Sequence, residues 1–238
     1  MATYESNSSK YLNKFHRDHA YYDLLNIAIH HFKEAYCIKN FVRLRKIPFH
    51  DTKKLEKNYA SSGDFAKEAI IDNVKITTCF ENYLKGLLIY KGYIIHKIDR
   101  KIKNKKFAAL SNDPRERPIR ISQLKKIENY RKNPNTGNLK LFGLKESTIG
   151  FNGILNSNDY KKLHKLPTNI MKILNDIKER RNTIHFQPVN LFRSSDIDQY
   201  KPLIEFVNKK VIKKHNFFVK KYRDKKYYRN FAEKLIPI

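Results

Sequence analysis

The chain has 238 residues and a mass of 28.4 kDa, enough to bury a sizeable core in one domain or in one domain with insertions. Its 50 Lys+Arg against 23 Asp+Glu give a formal charge of +27, which points to a polyanion as partner: RNA, DNA or an anionic membrane surface. With 7 Gly and 8 Pro the chain has too few turn formers for a turn-rich β protein, and its two cysteines are too few for a disulfide framework or a zinc site.

Richness in Lys, Asn and Ile is what an AT-rich genome gives, but that bias does not explain why acids are so outnumbered. No apolar run reaches transmembrane length, and the polar start Met1-Ala-Thr-Tyr-Glu-Ser does not read as a signal peptide. A soluble, cytoplasmic protein is expected, with Cys37 and Cys79 as buried free thiols.

The first ten residues are polar. From His19 to about Val42 the apolar residues Tyr21, Leu25, Ala28, Phe32 and Ala35 recur at helical steps. Pro48, Asp51 and Ser61-Ser62-Gly63 mark a break. Asp64 can cap a helix over 64–91, whose stripe is Ile76, Phe80, Tyr83, Leu84 and Leu87; Gly92 permits a left-handed stop. Residues 97–140 form a basic insertion that reads as loop, with Lys101, Lys103, Lys105 and Lys106 followed by Pro114 and Pro118. A short helix is expected around Ser122–Lys132 and a turn at Pro134–Gly137. Residues 139–160 look irregular or hold one short helix.

A helix over 168–186 follows, capped by Thr168 and ended by Pro188. The last long helix covers 196–223, with Leu203, Ile204, Val207, Val211, Phe218 and Tyr222 on its apolar side. The expected architecture is all-α: a single domain over 1–238, a helical bundle with a basic loop-rich insertion.

The helix over 168–186 carries the candidate chemistry. Its stripe Ile170, Ile173, Leu174 and Ile177 is continued by Arg180 and Arg181 before Ile184, and an i+4 step from Arg181 reaches His185. Unpaired cations are costly to bury. Either this end of the stripe leaves the core or it lines a cleft that holds an anion. Arginine grips phosphate oxygens bidentately, and histidine titrates near neutrality. Together they suit attack of a ribose 2′-OH on the neighbouring phosphate, without a metal. The plainer alternative makes Arg180 and Arg181 cations that complement the helix dipole, with His185 as a surface or capping residue.

The run Arg180-Arg181-Asn182-Thr183-Ile184-His185 resembles the signature of the HEPN superfamily (higher eukaryotes and prokaryotes nucleotide-binding): an Arg, usually followed by Asn, Asp or His, then a His after four to six intervening residues. The resemblance covers residues 64–186 as helix order and about six residues as sequence. Counted from Arg180 the spacing fits but Arg181 stands where Asn is usual; counted from Arg181, Asn182 fits but the spacing is one short. Either arginine can be the family residue.

The resemblance implies a helical bundle, a metal-independent RNase, and often a dimer with two Arg/His pairs facing across a composite cleft. Many members belong to toxin–antitoxin, abortive-infection or antiviral defence systems, so an antitoxin or a defence-complex partner is implied as well. His185 would be the acid/base, Arg180 or Arg181 the phosphate clamp and Asn182 a positioning residue. Glu81, on the preceding long helix, would orient the site.

RNA would be held by Lys101, Lys103, Lys105, Lys106, Lys220, Lys221 and Arg223, with Tyr222, Tyr227, Tyr228 and Phe231 interleaved for stacking; the alternative is a solvated basic face over core aromatics. His16, His19, His30 and His31 lack nearby cysteines or paired carboxylates, so no metal or cofactor is expected. Two rival functions stay open: a non-catalytic RNA-binding module, and an adaptor or partner subunit of a defence complex.

Overall fold

The structure is a computed structural model that describes residues 14–46, 65–98, 118–125, 130–132, 139–141, 144–183, 197–222 and 233–238. The described residues are mostly helical. In chain order they form α1 (Lys14–Glu34), α2 (Tyr36–Lys39), α3 (Phe41–Leu44), α4 (Phe65–Tyr90), β1 (His96–Ile98), α5 (Ile121–Lys125), β2 (Tyr130–Lys132), β3 (Leu139–Leu141) and β4 (Leu144–Thr148). Then come α6 (Phe151–Asn156), α7 (Asn158–His164), α8 (Thr168–Thr183), α9 (Tyr200–Phe206), a π-helical stretch (Val207–Ile212) and α10 (Lys213–Lys221). Asp64, the Pro134–Gly137 turn and Asp196, where the last long helix was expected to begin, lie outside the described residues.

The chain groups into two compact units: Met1–Leu24 with Leu84–Lys165, and Leu25–Tyr83 with Leu166–Ile238. In the first unit, the start of α1 meets the end of α4 at Gly86. A Cβ there would lie 2.5 Å from Tyr21 Cδ2 and 3.2 Å from Leu24 Cβ. Glycine is a poor helix former, and it stands mid-helix here because the tyrosine ring occupies the space a side chain would take.

The helix then ends as its sequence foretells. Gly92 has φ +82, its N–H donates to the Ile89 carbonyl at 2.9 Å, and the Tyr93 N–H donates to the Leu88 carbonyl at 2.9 Å. This is a Schellman stop, which only a residue tolerant of positive φ makes without strain.

Beyond Gly92 the described residues of the expected loop include short strands. β1 pairs antiparallel with β4, joining His96 to Thr148 and Ile98 to Leu144 across an irregular register. β2 pairs antiparallel with β3. The expected helix over Ser122–Lys132 is short, Ile121–Lys125, and β2 takes its last residues. Three-residue strands are too short to show a period of two in the sequence. Residues 139–160 likewise hold two strands and two short helices rather than one.

α7 closes on Lys165, a non-glycine residue at φ 52. The Lys91 ammonium donates to the Leu163 carbonyl near that end, placing a cation at the negative end of α7.

In the second unit the core is aromatic and aliphatic. Phe80 packs against Phe32 edge-on at 6.2 Å and against Phe206 at 5.7 Å, and Tyr83 meets Phe206 at 5.6 Å. The stripe foreseen on the first helix is buried at Tyr21, Leu25, Ala28, Phe32 and Ala35, and both thiols are free and buried.

The expected continuous helix over 19–42 is broken at Ala35 instead. Asp72, buried on α4, accepts the Tyr36 N–H at Oδ1 (2.6 Å) and the Cys37 N–H at Oδ2 (2.8 Å). Lys75, one turn on, donates to the Glu34 carbonyl at 2.6 Å. A carboxylate thus caps the start of α2 while an ammonium caps the end of α1, each at the helix end whose partial charge it complements. Burial pushes the Asp72 carboxyl above its ordinary value, and the Cys37 and Tyr36 hydrogen bonds oppose that shift.

Candidate functional site

α8 begins at Thr168, with the Met171 N–H on the Pro167 carbonyl at 3.0 Å. Its stripe is buried at Ile170, Leu174 and Ile177 and half-buried at Ile173. One i+3 step beyond Ile177 stands Arg180, half-buried. The arginine therefore continues the buried stripe instead of turning wholly to solvent. Arg181 and Asn182 belong to the last turn of α8, and His185 lies outside the described residues. Glu81 is half-buried on α4, in the same unit as Arg180.

A second basic feature runs along the π-helical stretch and α10. Lys209, Lys210, Lys213, Lys220 and Lys221 are exposed, and so is Phe217, at 49% of its surface. The Lys214 ammonium sits over the Phe217 ring at 4.7 Å and the Phe218 ring at 5.1 Å; Lys221 sits over Tyr222 at 4.6 Å. Phe218 is buried and lies parallel to Tyr222 at 6.3 Å. An exposed ring ringed by cations is what single-stranded nucleic acid needs: cations for phosphates and a face for a base.

Of the lysines expected to hold RNA, Lys220 and Lys221 are described, both exposed near the end of α10. Lys101, Lys103, Lys105, Lys106, Arg223, Tyr227, Tyr228 and Phe231 lie outside the described residues. Phe217 was missed, although its spacing gave it away: it stands three and four residues from Lys214, Lys213, Lys220 and Lys221.

His215, on the opposite side of α10, is buried. Its Nε2 is 2.6 Å from Asn26 Oδ1 and its Nδ1 is 3.1 Å from Asn216 Oδ1. Burial pulls its pKa below the ordinary value, opposed by the Asn216 hydrogen bond and the Glu233 charge. Among the described residues no group of three or more His, Cys, Asp or Glu is placed to hold a metal ion, and no helix is long and apolar enough to cross a membrane.

No family model, curated protein or solved structure matches this chain.

Proposed function

We propose that the chain is a metal-independent RNA endonuclease of the HEPN type. The observation that carries this reading is the stripe of α8, where a half-buried guanidinium at Arg180 follows the buried Ile170, Leu174 and Ile177. A guanidinium can grip phosphate oxygens bidentately, and a phosphodiester is the anion that suits a chain of charge +27. In this reading His185 moves the proton of the ribose 2′-OH, and Arg180 or Arg181 holds the phosphate as charge develops on its oxygens. Asn182 and Glu81 position these groups, and the α10 face carries the RNA strand past them. The protein then acts in the cytoplasm as a homodimer, within a toxin or antiviral defence system whose antitoxin or partner protein restrains it.

The test is cleavage of total cellular RNA in the presence of EDTA. Wild type cuts, and His185→Ala, folded and still binding RNA, loses activity by at least about a hundredfold. Equal cutting by the two proteins overturns the assignment. A second reading, an RNA-binding module without cleavage, is favoured by Phe217 and its lysines, which need no histidine to hold a strand. It predicts salt-steep binding and no cutting by wild type.

A further inference from the structure

Residues Glu233–Ile238 form a non-helical segment held by two asparagines. Asn216 donates from Nδ2 to the Glu233 carbonyl at 3.0 Å and accepts the Glu233 N–H at 2.8 Å. Asn208 does the same for Ile236, at 2.9 Å in both directions. Each carboxamide therefore satisfies both backbone groups of one residue, as a neighbouring β-strand would. Contacts of this kind read backbone and ignore side chains. Selectivity comes from two further contacts: Ile236 is buried at 7% exposure, and Glu233 pairs with Lys33 Nζ at 2.5 Å.

The helix is shaped for this. In a regular α-helix, residues 208 and 216 would stand about 12 Å apart and about 80° out of phase. The π stretch between them, where the Lys213 N–H reaches back to the Asn208 carbonyl, winds in one extra residue. Eight positions then count as seven, and the two asparagines come to within about 20° of one face. The three extended residues from Glu233 to Ile236 span about 10 Å, a match to the asparagine spacing with the tail running antiparallel to the helix. His215 sits behind Asn216, 3.1 Å from its Oδ1, and ties it to Asn26.

We propose that Asn208, Asn216 and Lys33 form a peptide-binding clamp whose occupant is the segment Glu233–Ile238 of a second copy of this chain, so that two chains join by exchanging tails. Three observations favour that occupant. Every copy carries the matching segment, an acid followed three residues later by a buried isoleucine. Among the described residues the segment is held in its own chain by the Ile236 anchor, four bonds to the two asparagines and the Lys33 ion pair, and a segment of little burial opens locally more often than the core. Leu235 and Ile238, at 59% and 47% exposure, are apolar residues left uncovered beside the anchor.

The test is sedimentation velocity on the full-length protein over about a hundredfold concentration range, with the synthetic hexapeptide Glu-Lys-Leu-Ile-Pro-Ile as competitor. Wild type shifts from monomer to dimer as concentration rises, and excess peptide returns it to monomer. The full-length Asn208→Ala/Asn216→Ala variant needs at least about tenfold more protein to dimerise. A wild-type chain that stays monomeric throughout overturns the exchange, as does a dimer unmoved by the peptide. If the double variant loses its helical circular dichroism, peptide competition on wild type decides alone. The outcome is independent of RNA cleavage, which a monomer and a tail-exchanged dimer are assayed for separately.

Discussion

Two helix ends in this protein are built by opposite means. α4 stops at Gly92, where the residue itself supplies the left-handed turn and the neighbouring backbone supplies the bonds. α1 stops at Glu34 with no proline and no glycine nearby; Asp72 and Lys75, almost forty residues on, supply both caps. A stop of the first kind is written where it happens. A stop of the second kind exists only once α4 has docked.

The largest test of this contrast is Asp72→Ala. It leaves the buried N–H groups of Tyr36 and Cys37 without an acceptor and should cost about 3 kcal/mol, read as a lower urea midpoint. Asp72→Asn should cost less, because a carboxamide oxygen still accepts one bond. If Asp72→Ala costs under about 1 kcal/mol, the distant cap does not hold the break.

Gly92→Ala attacks the local stop and should cost about 1 kcal/mol, since alanine at φ +82 is strained. Lys165 offers the mirror image, an occupied left-handed position at φ 52. Lys165→Gly should raise stability by about 0.5–1 kcal/mol, helped by removing a cation that presses on Lys91. A loss of stability in Lys165→Gly would show that its side chain does something for α7.

The smallest effect is a pH dependence. Burial lowers the pKa of His164, beside the Lys165 stop, and that of His215. Both fold best as neutral imidazoles, so the stability they give is present above the unfolded value near 6.5 and is lost as pH falls below it. Asp72 runs the other way: its carboxyl is raised, so its contribution is full below the ordinary 3.8 and declines as pH rises through the folded value. Thermal melts from pH 7.5 to 5.5 should fall, and His164→Gln should flatten the fall in part, His215 and His31 keeping the rest. An unchanged slope would mean that His164 titrates as it does in the unfolded chain.

The same contrast governs how much the sequence disclosed. Periodicity gave most of the buried faces of α1, α4, α8 and α9, because burial repeats along a helix; Leu87 and Ile173 are half-buried, and on α4 Leu88 and Ile89 are buried instead. Gly92 gave its stop because glycine is needed where it stands. The break at Ala35 was illegible, since both of its causes are side chains on another helix. The strands at 96–98, 130–132, 139–141 and 144–148 were illegible because ladders of three to five residues leave little periodic trace and the flanking lysines look like loop.

At the candidate site the sequence pointed to both Arg180 and Arg181 as continuing an apolar stripe; Arg180 stands half-buried there, and His185 lies outside the described residues. It passed over Phe217, whose neighbour Phe218 is the buried one. Asn208 and Asn216 gave no signal at all: an asparagine in a helix is ordinary, and what distinguishes these is a backbone arriving from seventeen and twenty-eight residues away.

The joint at Ala35 also has a bearing on the order of folding. A contact that spans thirty-six residues closes late compared with a helical turn, whose bonds form within four. The stretch Lys14–Leu44, nascent and alone, has no internal reason to bend after Glu34. Docking of Asp72 and Lys75 therefore writes the bend into a segment that was already helical on either side of it, and the angle there is a marker for the arrival of α4.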